Sequence, residues 1–473
     1  MAADLAAEQA AAAEPAGSSE AGTSEAGTPA GAPTAAPPTV AEQAAAAPDG
    51  SAGVRAIASL EGSGAPGPPI LRWDGAARTV AEVEAELARI WVSPEARAVV
   101  AAVANEEQPG RIVAARSSVL NLVAVARRPE IGQRVAAEIA TLTGRHPSRT
   151  MVLVPSDPDG PAWFRARVRA YCMVSREGSA ETCSELVYAE AGGETGRHLA
   201  AVVAPLLVHD LPVAVWWPGD VPFGTRLADD LVGLADRLIV DGSSWSGDGL
   251  DRLRVLAGVA RTVQVTDFAI ARQARWREAI ASAFDRPDML PYLGSLRRIS
   301  VAFATLGGPG AEVATNLVRP VYHVGWLASR LGLRPAGRLR RETRKPSARH
   351  ASRSGAPDPG RGLRGTLAGD RGRAVDIVVR PVVSPVPPGS TLRVELLAER
   401  RGRELRVEVT GEAEVVRVRA WHDGIETLDR PYFAPRQTEI GLLAEAIESG
   451  ASDPVAHAAL EVAAAFVTPG EQR

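Results

Sequence analysis

The stretch SVLNLVAVARRPEIGQRVAAEIATLTGRHPSRTMVLV, residues 118–154, decides how this chain folds. It begins with an apolar run, 118–126, of the kind that is buried on both faces of a sheet. Apolar residues then recur at helical spacing, at Ile131, Val135, Ile139 and Leu142. A second apolar run, 150–154, follows, so the stretch predicts one strand–helix–strand unit with parallel strands and a right-handed crossover.

The alternation of strands and helices continues on both sides of this unit. An amphipathic helix is predicted at 79–91, and residues 165–175 and 183–190 predict a hairpin that turns at Glu177-Gly178. Towards the C-terminus the pattern predicts helices at 197–208, 226–235, 249–260, 272–284 and 311–331, and strands at 212–217, 237–241, 263–266 and 298–304. Repeated alternation of this kind favours an α/β fold, in which a mostly parallel sheet is flanked by helices.

The C-terminal part of the chain shows a different pattern. Apolar and polar residues alternate with a period of two, which is typical of antiparallel strands with one solvated face. The segments with this pattern are 375–383, 391–398, 404–410 and 414–421. Helices are predicted after them at 438–448 and 453–467. The whole pattern predicts an α/β domain at 70–333 and a smaller α+β domain with antiparallel strands at 374–473.

Two further segments differ in composition. Residues 1–69 are Ala-rich and acidic and are interrupted by Pro and Gly, so they predict a disordered N-terminal tail. Residues 334–373 carry 12 Lys or Arg and three acids, with recurrent Gly, Pro and Ser, and predict a basic flexible linker. Because this segment has no aromatic side chain for stacking, a solvated linker is favoured over nucleic-acid binding.

The overall composition excludes several classes of protein. The 473 residues carry a formal net charge of −3, which gives no reason to expect nucleic acid or an anionic membrane as a partner. No apolar run is long enough for a membrane-spanning helix, and the N-terminus does not have the pattern of a secretory signal. We therefore expect a cytoplasmic protein that has no membrane partner.

The motifs that mark catalytic chemistry are missing. The seven histidines are scattered, with no HExxH, and there is no Walker motif, no GxSxG and no GxGxxG after a predicted strand. We expect no catalytic residues, no cofactor and no metal. The loop Gly307–Gly310 precedes a predicted helix and could hold an anion on backbone N–H groups. It lacks the phosphate-loop lysine, however, and the pattern favours a tight turn.

Two adjacent tryptophans, Trp216 and Trp217, end the predicted strand 212–217 and are followed by Pro218 and Gly219. Neighbouring residues of a strand point to opposite faces, so one ring can lie in the core while the other reaches the carboxyl edge of the sheet. Ligands and partners bind at that edge in open α/β sheets. The alternative, which the general burial of tryptophan favours, is that both rings pack beneath helices.

Three polar residues at strand ends are further candidates. His146 and Arg149 lie between a helix end and a strand start, where they could hold an anion together. The alternative is a structural loop whose histidine satisfies nearby carbonyls. Asp241 ends the strand 237–241 and could bind a sugar hydroxyl or a partner's cation, although such a residue more often anchors its own turn.

The two cysteines, Cys172 and Cys183, are placed symmetrically about the predicted hairpin turn, so they lie directly opposite each other. Directly opposed residues have Cβ atoms about 4.5–5.5 Å apart, which makes a cross-strand disulfide and a redox pair conceivable. The alternative is two reduced, buried cysteines, which is the usual state of thiols in a cytosolic protein.

Seven segments, taken together and in order, resemble those of the glucose-6-phosphate dehydrogenase assembly protein family, called OpcA. They are VLNLVAV (119–125), HPSRTMVLV (146–154), ETCSELVYAEAGG (181–193), PLLVHDLPVAVWWPGDVPF (205–223), DRLIVDGSSW (236–245), ARWREAIASAFD (274–285) and VYHVGWLASRLG (321–332). The resemblance covers roughly residues 75–470. The WWPG and WREAIASAFD segments are its most specific parts.

The resemblance implies a non-catalytic cytoplasmic factor whose partner is glucose-6-phosphate dehydrogenase and which supports NADPH production in the oxidative pentose phosphate pathway. It supplies no catalytic residues to carry over. We predict that the contact surface includes residues 216–219 with His146, Arg149 and Asp241. The alternative function is a sugar-phosphate- or nucleotide-binding enzyme or sensor that uses the carboxyl edge of the parallel sheet.

Overall fold

A computed structural model of the chain describes residues 69–92, 114–116, 118–174, 181–308, 315–342, 360–450 and 453–467. Within these residues the chain forms two sheets, A and B, with helices packed between and around them. The predicted disordered tail, 1–69, lies outside the described residues apart from its last position. The predicted fold class, a parallel-rich α/β sheet followed by antiparallel strands, is confirmed. Among the described helices, none combines the length and the apolar character that crossing a membrane requires.

The bounds of the elements are as follows. Sheet A contains β1 (Ile70–Ala77), β2 (Ala114–Arg116), β3 (Asn121–Val125), β4 (Arg149–Pro155), β5 (Trp163–Val174), β6 (Glu181–Gly192), β7 (Val213–Trp217), β8 (Arg237–Val240) and β9 (Gln264–Asp267). Sheet B contains β10 (Leu296–Thr305), β11 (Arg334–Pro335), β12 (Arg340–Arg341), β13 (Leu363–Ala368), β14 (Ala374–Val383), β15 (Thr391–Arg400), β16 (Arg403–Glu412), β17 (Val415–His422) and β18 (Ile425–Phe433). The described α-helices are α1 (Val80–Val92), α2 (Pro129–Ala140), α3 (Gly193–Arg197), α4 (Leu199–Val203), α5 (Arg226–Gly233), α6 (Leu250–Val259), α7 (Phe268–Ala271), α8 (Ala274–Ala283), α9 (Val318–Arg330), α10 (Glu439–Glu448) and α11 (Pro454–Ala465).

The core of sheet A is a run of parallel strands in the order β6-β4-β3-β7-β8-β9. Numbered from β3 along the chain, and leaving aside the antiparallel strand β5, this is the order 3-2-1-4-5-6 of the dinucleotide-binding folds. Asn121 of β3 lies opposite Arg149 of β4 on one side and Val213 of β7 on the other. The strand order therefore reverses between β3 and β7, where such sheets have their ligand crevice.

The two faces of sheet A are covered by different parts of the chain. One face packs against α2 and α10, and Leu442 and Ala446 of α10 share a core cluster with Trp216. The other face packs against α5 and α6 and continues into the core beneath sheet B, a cluster that includes Trp217. Arg237 at the start of β8 donates a hydrogen bond to the carbonyl of Ala446. A helix from the C-terminal part of the chain is thus built into the N-terminal sheet.

Strand β10 lies within sheet B, parallel to β14 and antiparallel to β15. The sequence pattern placed residues 298–304 with the parallel strands of the first domain, and that assignment is wrong. Ile299, Val301 and Phe303 are buried core residues. The sequence pattern of such an apolar strand is the same whichever sheet the strand joins. The division into domains at 70–333 and 374–473 stays a prediction, but sheet B takes strands from both sides of it.

The predicted flexible linker, 334–373, contains strands at both of its ends. β11 and β12 pair with β13, and β13 pairs with β14 in sheet B. The linker prediction is therefore wrong for these residues, because Leu363 and Leu367 are buried in the core although the surrounding residues are basic. Residues 343–359 lie outside the described residues.

The helices α9 and α11 approach each other closely at Gly325. A Cβ atom at this position would lie 2.5 Å from the carbonyl oxygen of Ala459 and 3.2 Å from the backbone nitrogen of Ala463. Both neighbours are backbone atoms, so the two helices would have to separate to admit a side chain.

We expect Gly325→Ala to lower the free energy of unfolding by about 1–3 kcal/mol, the usual cost of overpacking a core. Urea denaturation followed by circular dichroism measures this change. Gly258 in α6 has open space beside its Cα atom, so Gly258→Ala is a matched control that is neutral or stabilises by up to about 1 kcal/mol. If Gly325→Ala were as stable as the parent chain, the helices would not be in backbone contact here.

Candidate functional site

The turn from β3 into α2 occupies the position at which dinucleotide-binding folds hold a pyrophosphate. In those folds a G-x-G-x-x-G turn supplies a tight bend, a close backbone approach to the ligand and a close helix–strand contact. The corresponding residues here are 127–132, of which only the last is glycine. A Cβ atom on Gly132 would lie 2.7 Å from Val154 Cγ2, so the helix–strand contact is retained. Arg127 and Pro129 stand where the two ligand-facing glycines would be.

An ion pair bridges the crevice between the carboxyl ends of β3 and β7. The Arg127 guanidinium lies 3.4 Å from a carboxylate oxygen of Asp220 in the turn after β7. Asp220 also accepts a hydrogen bond of 2.9 Å from the backbone N–H of Ser246 and lies 3.4 Å from the guanidinium of Arg252. The residues at this crevice therefore do not fit a dinucleotide, because larger side chains replace two glycines and an ion pair spans the opening.

Both adjacent tryptophans at the end of β7 are core residues. The exposed fractions are 0% for Trp216 and 1% for Trp217, and the two rings belong to core clusters on opposite faces of sheet A. The interpretation that both rings pack beneath helices is confirmed. The prediction that these two rings contact a partner directly is wrong, because helices cover both faces of the strand. Pro218 and Gly219 in the next turn are partly exposed, and their contact with a partner stays a prediction.

His146 and Arg149 do not converge on an anion. Arg149 is buried at the start of β4, where its Nε lies 2.6 Å from Glu185 Oε2 and its Nη1 donates to the carbonyl of Leu206 at 2.9 Å. His146 lies 3.1 Å from Glu448 Oε1 at the end of α10. Burial lowers the pKa of His146, and the Glu448 carboxylate opposes that effect. Each side chain is thus already engaged by a carboxylate of this chain, so the predicted anion site is not formed.

Asp241 anchors the turn that follows β8, as the structural interpretation of the sequence predicted. Its carboxylate accepts hydrogen bonds from the backbone N–H of Ser243 at 3.1 Å and from the hydroxyl of the same residue at 2.5 Å. It also forms an ion pair of 2.6 Å with Arg272. Asp241 is 5% exposed, so it orients Arg272 from behind and does not itself present a charge to a partner.

Sequence reasoning missed Asp267, which ends the neighbouring strand β9. This buried carboxylate accepts hydrogen bonds of 2.8 Å from the backbone N–H groups of Gly242 and Ala269 and from the hydroxyl of Tyr322. Burial, with the nearby charge of Asp241 as the second cause, raises the pKa of Asp267 to about 6. The carboxylate ties together the turns after β8 and β9 and the helix α9.

A pocket of about 650 Å³ lies between α8, α9 and the strand ends of sheet B. Sequence reasoning missed it, because its residues come from segments far apart in the chain. Arg272, Gln273 and Trp276 line it from one side, and Arg319 and His323 from α9. Burial and the charges of two arginines lower the pKa of His323 to about 3, so its imidazole is neutral. Of the sequence-predicted loop Gly307–Gly310, the described residues Gly307 and Gly308 do not line the pocket, and the other two lie outside the described residues.

The cysteines occupy the positions that the hairpin symmetry predicted. Cys172 of β5 lies opposite Cys183 of β6, with a Cα–Cα distance of 4.1 Å, and the two form a disulfide. Both residues are 4% exposed. The opposed register is confirmed, and a redox role of the pair stays a prediction.

One face of sheet B carries alternating polar side chains along β15, β16 and β17. Trp421 of β17 is partly exposed there, and the guanidinium carbons of Arg406 and Arg419 lie 4.1 Å and 5.3 Å from its ring centroid. Arg419 donates a hydrogen bond of 2.8 Å to Glu408, which also lies 3.4 Å from Arg393. These five residues form what we call the Trp421 patch. Its aromatic and arginine composition is typical of protein–protein contacts.

Two domain profiles match the chain, and both describe parts of a "Glucose-6-phosphate dehydrogenase subunit". The profile for its N-terminal domain, an OpcA assembly profile, matches residues 139–257, and the OpcA profile for its C-terminal domain matches residues 263–460. The chain belongs to the OpcA family. The second OpcA profile begins before β10, so it includes this strand together with the other strands of sheet B, the pocket and the Trp421 patch.

Curated OpcA proteins from two cyanobacteria are similar to this chain. The OxPP cycle protein OpcA of Synechocystis sp. is 26% identical over 196 residues, which are 41% of this chain and 39% of that protein. The OpcA of Synechococcus elongatus is 27% identical over 192 residues, which are 40% of this chain and 41% of that protein. The aligned part thus spans about two fifths of the length of these OpcA relatives.

Solved structures that are similar to this OpcA chain include an oxidoreductase from Sinorhizobium meliloti and an NAD binding oxidoreductase from Klebsiella pneumoniae. Both are 12% identical and cover 74% of this chain and 96% of their own, with TM-scores of 0.41 and 0.40. Scores at this level do not transfer fold or chemistry to this chain.

Proposed function

We propose that this chain is a non-catalytic cytoplasmic factor that binds glucose-6-phosphate dehydrogenase and promotes the assembly or activity of that enzyme. In this role it supports NADPH production in the oxidative pentose phosphate pathway. The observation that carries the proposal is the pair of OpcA domain profiles, which reach from residue 139 to residue 460. The names of the cyanobacterial relatives, which refer to the OxPP cycle, agree with it.

The crevice of sheet A supports a role without catalysis. Its strand order is that of a dinucleotide-binding fold, but Arg127 and Pro129 replace two glycines and the Arg127–Asp220 ion pair bridges the opening. A hydride-transfer enzyme of this topology needs the pyrophosphate to lie against that turn. The chain has therefore kept the framework of such a fold without the residues that would hold its cofactor.

A factor of this kind acts through differential binding. A protein that binds one conformation or oligomer of the dehydrogenase better than another shifts the population towards the favoured state. A tenfold shift requires only about 1.4 kcal/mol of differential affinity. A modest, well-packed contact surface is sufficient for that.

We assign this contact to the Trp421 patch on sheet B. Tryptophan and arginine dominate the binding energy of many interfaces, because they bury a large area and can still form hydrogen bonds. The ring of Trp421 lies against two guanidinium groups, so little side-chain freedom is lost when a partner covers it. Of the residues predicted from the sequence, Pro218 and Gly219 remain a second proposed contact.

We expect Trp421→Ala to weaken binding of the cognate dehydrogenase by about 2 kcal/mol, or about 30-fold in Kd, as for other central interface tryptophans. The chain concentration that gives half-maximal activation measures this change. Trp163 on β5 is the matched control, because it also is partly exposed and has an arginine, Arg165, 5.3 Å from its ring. Trp163→Ala leaves Kd unchanged. Equal losses in the two variants, or none in either, would exclude the Trp421 patch as the contact.

The proposed function itself is tested by co-purification with the cognate dehydrogenase, followed by a rate assay with and without this chain. The expected result is a stable complex and a higher rate or a larger oligomer in its presence. Turnover of a metabolite by this chain alone, or no association with the dehydrogenase at any concentration, would overturn the proposal.

A further inference from the structure

The pocket between α8, α9 and sheet B is larger than the packing of the fold requires. Its volume of about 650 Å³ lies in the range of small-molecule sites, which is roughly 300–1,000 Å³. Its lining comes from the segment that follows α7, from α8 and α9, and from sheet B with the segments that flank its strands. Its size therefore suits a metabolite.

Buried polar atoms in this pocket have no partner within the described part of the chain. His323 is 0% exposed and neither of its ring nitrogens forms a hydrogen bond. Gln273 is 2% exposed, and its Oε1 is also without a partner, although its Nε2 donates to the carbonyl of Arg319. The hydroxyl of Thr391, on the opposite wall, is likewise unpaired. A buried polar group without a partner costs about 1–3 kcal/mol, so four such atoms around one pocket indicate a polar ligand.

Charged side chains of both signs line the pocket, four arginines and three glutamates. Arg272 is held in place by its ion pair with Asp241. Arg319 lies near Arg272, and its Nε is without a hydrogen-bond partner among the described residues. Burial comes first and the Arg272 charge second among the causes that lower the pKa of Arg319. Two guanidinium groups held this close are stabilised by an anion that bridges them.

We propose that this pocket binds a small phosphate monoester that also carries hydroxyl groups, such as a phosphorylated sugar. The phosphate lies against Arg272 and Arg319, where guanidinium groups match its geometry. The unpaired atoms of Gln273 and Thr391 take hydroxyl groups, and the face of Trp276 packs against the carbon skeleton. The proposal goes beyond the function proposed above, because it gives the chain a ligand of its own whether or not the dehydrogenase is bound.

Isothermal titration of the full chain tests the proposal with glucose 6-phosphate, inorganic phosphate and glucose as probes. We expect glucose 6-phosphate to bind most tightly, inorganic phosphate more weakly and glucose not at all. Arg319→Gln weakens the binding of glucose 6-phosphate at least tenfold, since it removes a charge-assisted contact. Thr391→Val weakens it less and leaves the binding of inorganic phosphate unchanged. Arg254→Gln, an exposed arginine of α6 outside the pocket, is the control and leaves both affinities unchanged.

Three results would overturn the proposal. The first is that no phosphorylated probe binds, and the second is that glucose binds as tightly as glucose 6-phosphate. The third is that Arg319→Gln, shown to be folded by circular dichroism, and Thr391→Val both bind glucose 6-phosphate with the parent affinity. Activation of the dehydrogenase is measured in the same variants. Activation without binding of any phosphate by the isolated chain refutes only the pocket, whereas binding without activation refutes only the proposed function.

Discussion

Replacing Arg149 with methionine is expected to lower the free energy of unfolding by about 3–5 kcal/mol, the usual cost of breaking a buried ion pair by removing one of its members. The side chain of Glu185 is 1% exposed, and the Arg149 Nε lies 2.6 Å from its carboxylate. The indole N–H of Trp91 also donates a hydrogen bond to this carboxylate. Urea denaturation at neutral pH measures the loss.

The double variant Arg149→Met/Glu185→Gln tests how much of the loss comes from the charge of the Glu185 carboxylate and how much from lost packing. The amide of glutamine can still accept the hydrogen bond from Trp91 and carries no charge to desolvate, so we expect it to recover most of the lost stability. The control is Arg134→Met, because Arg134 lies on the surface of α2 beside Glu138 and Glu439 and such pairs contribute about 0–1 kcal/mol. A loss below about 1 kcal/mol in Arg149→Met would show that the ion pair is not buried.

We expect His323 to make the folded chain sensitive to acid. The imidazole has a pKa of about 3 in the folded chain because it is buried, and the charges of Arg277 and Arg319 lower the pKa further. In the unfolded chain its pKa is about 6.5, so below that pH the unfolded state binds more protons and gains stability. The contribution of the neutral His323 imidazole to the free energy of unfolding is complete above about pH 7 and is lost as the pH falls. The amount lost is about 2 kcal/mol at pH 5 and about 4 kcal/mol at pH 3.

The change between pH 7 and pH 5 is measured by urea denaturation of the parent chain and of His323→Gln, which stays neutral. We expect the parent to lose about 2 kcal/mol more than the variant over this interval. His457→Gln is the control, since it removes a histidine that is partly exposed on α11. Equal pH dependence of the parent and His323→Gln would mean that the imidazole is charged or solvated in the folded chain.

Asp267 has the opposite effect on the pH dependence of the free energy of unfolding. The parent chain must therefore be compared with a variant that lacks the histidine. Its pKa of about 6 in the folded chain is above the value of about 3.9 expected when unfolded. The folded state therefore binds more protons between these values, and this residue adds stability as the pH falls through about 6. The pH dependence of the parent alone mixes the two effects, and only the difference from His323→Gln isolates the histidine.

Local patterns predicted much of sheet A. The strand–helix–strand unit at 118–154 and the opposition of Cys172 and Cys183 follow from hydrophobic period and hairpin symmetry, which are properties of neighbouring residues. Strand β18 was missed, because its residues are mostly exposed and carry no apolar alternation. The assignment of β10 failed for a different reason, since which sheet an apolar strand joins depends on tertiary contacts that its own residues do not encode.

The pocket could not be predicted in the same way. Arg272 and Gln273 follow a short helix after β9, Arg319 and His323 lie in α9, and Thr391 begins β15. None of these residues belongs to a local motif, and only the packing of α9 against both sheets brings them together.

The covering of sheet A by α10 has a consequence for how the protein is made. Residues 121–240 supply the middle of that sheet, yet the helix that buries Trp216 on one face lies at 439–448. During synthesis on the ribosome, the part of this apolar face that α10 covers, beside α2, stays open to water until nearly all of the chain has emerged. Nascent chains of this protein are therefore expected to engage a ribosome-associated chaperone until α10 closes over the sheet.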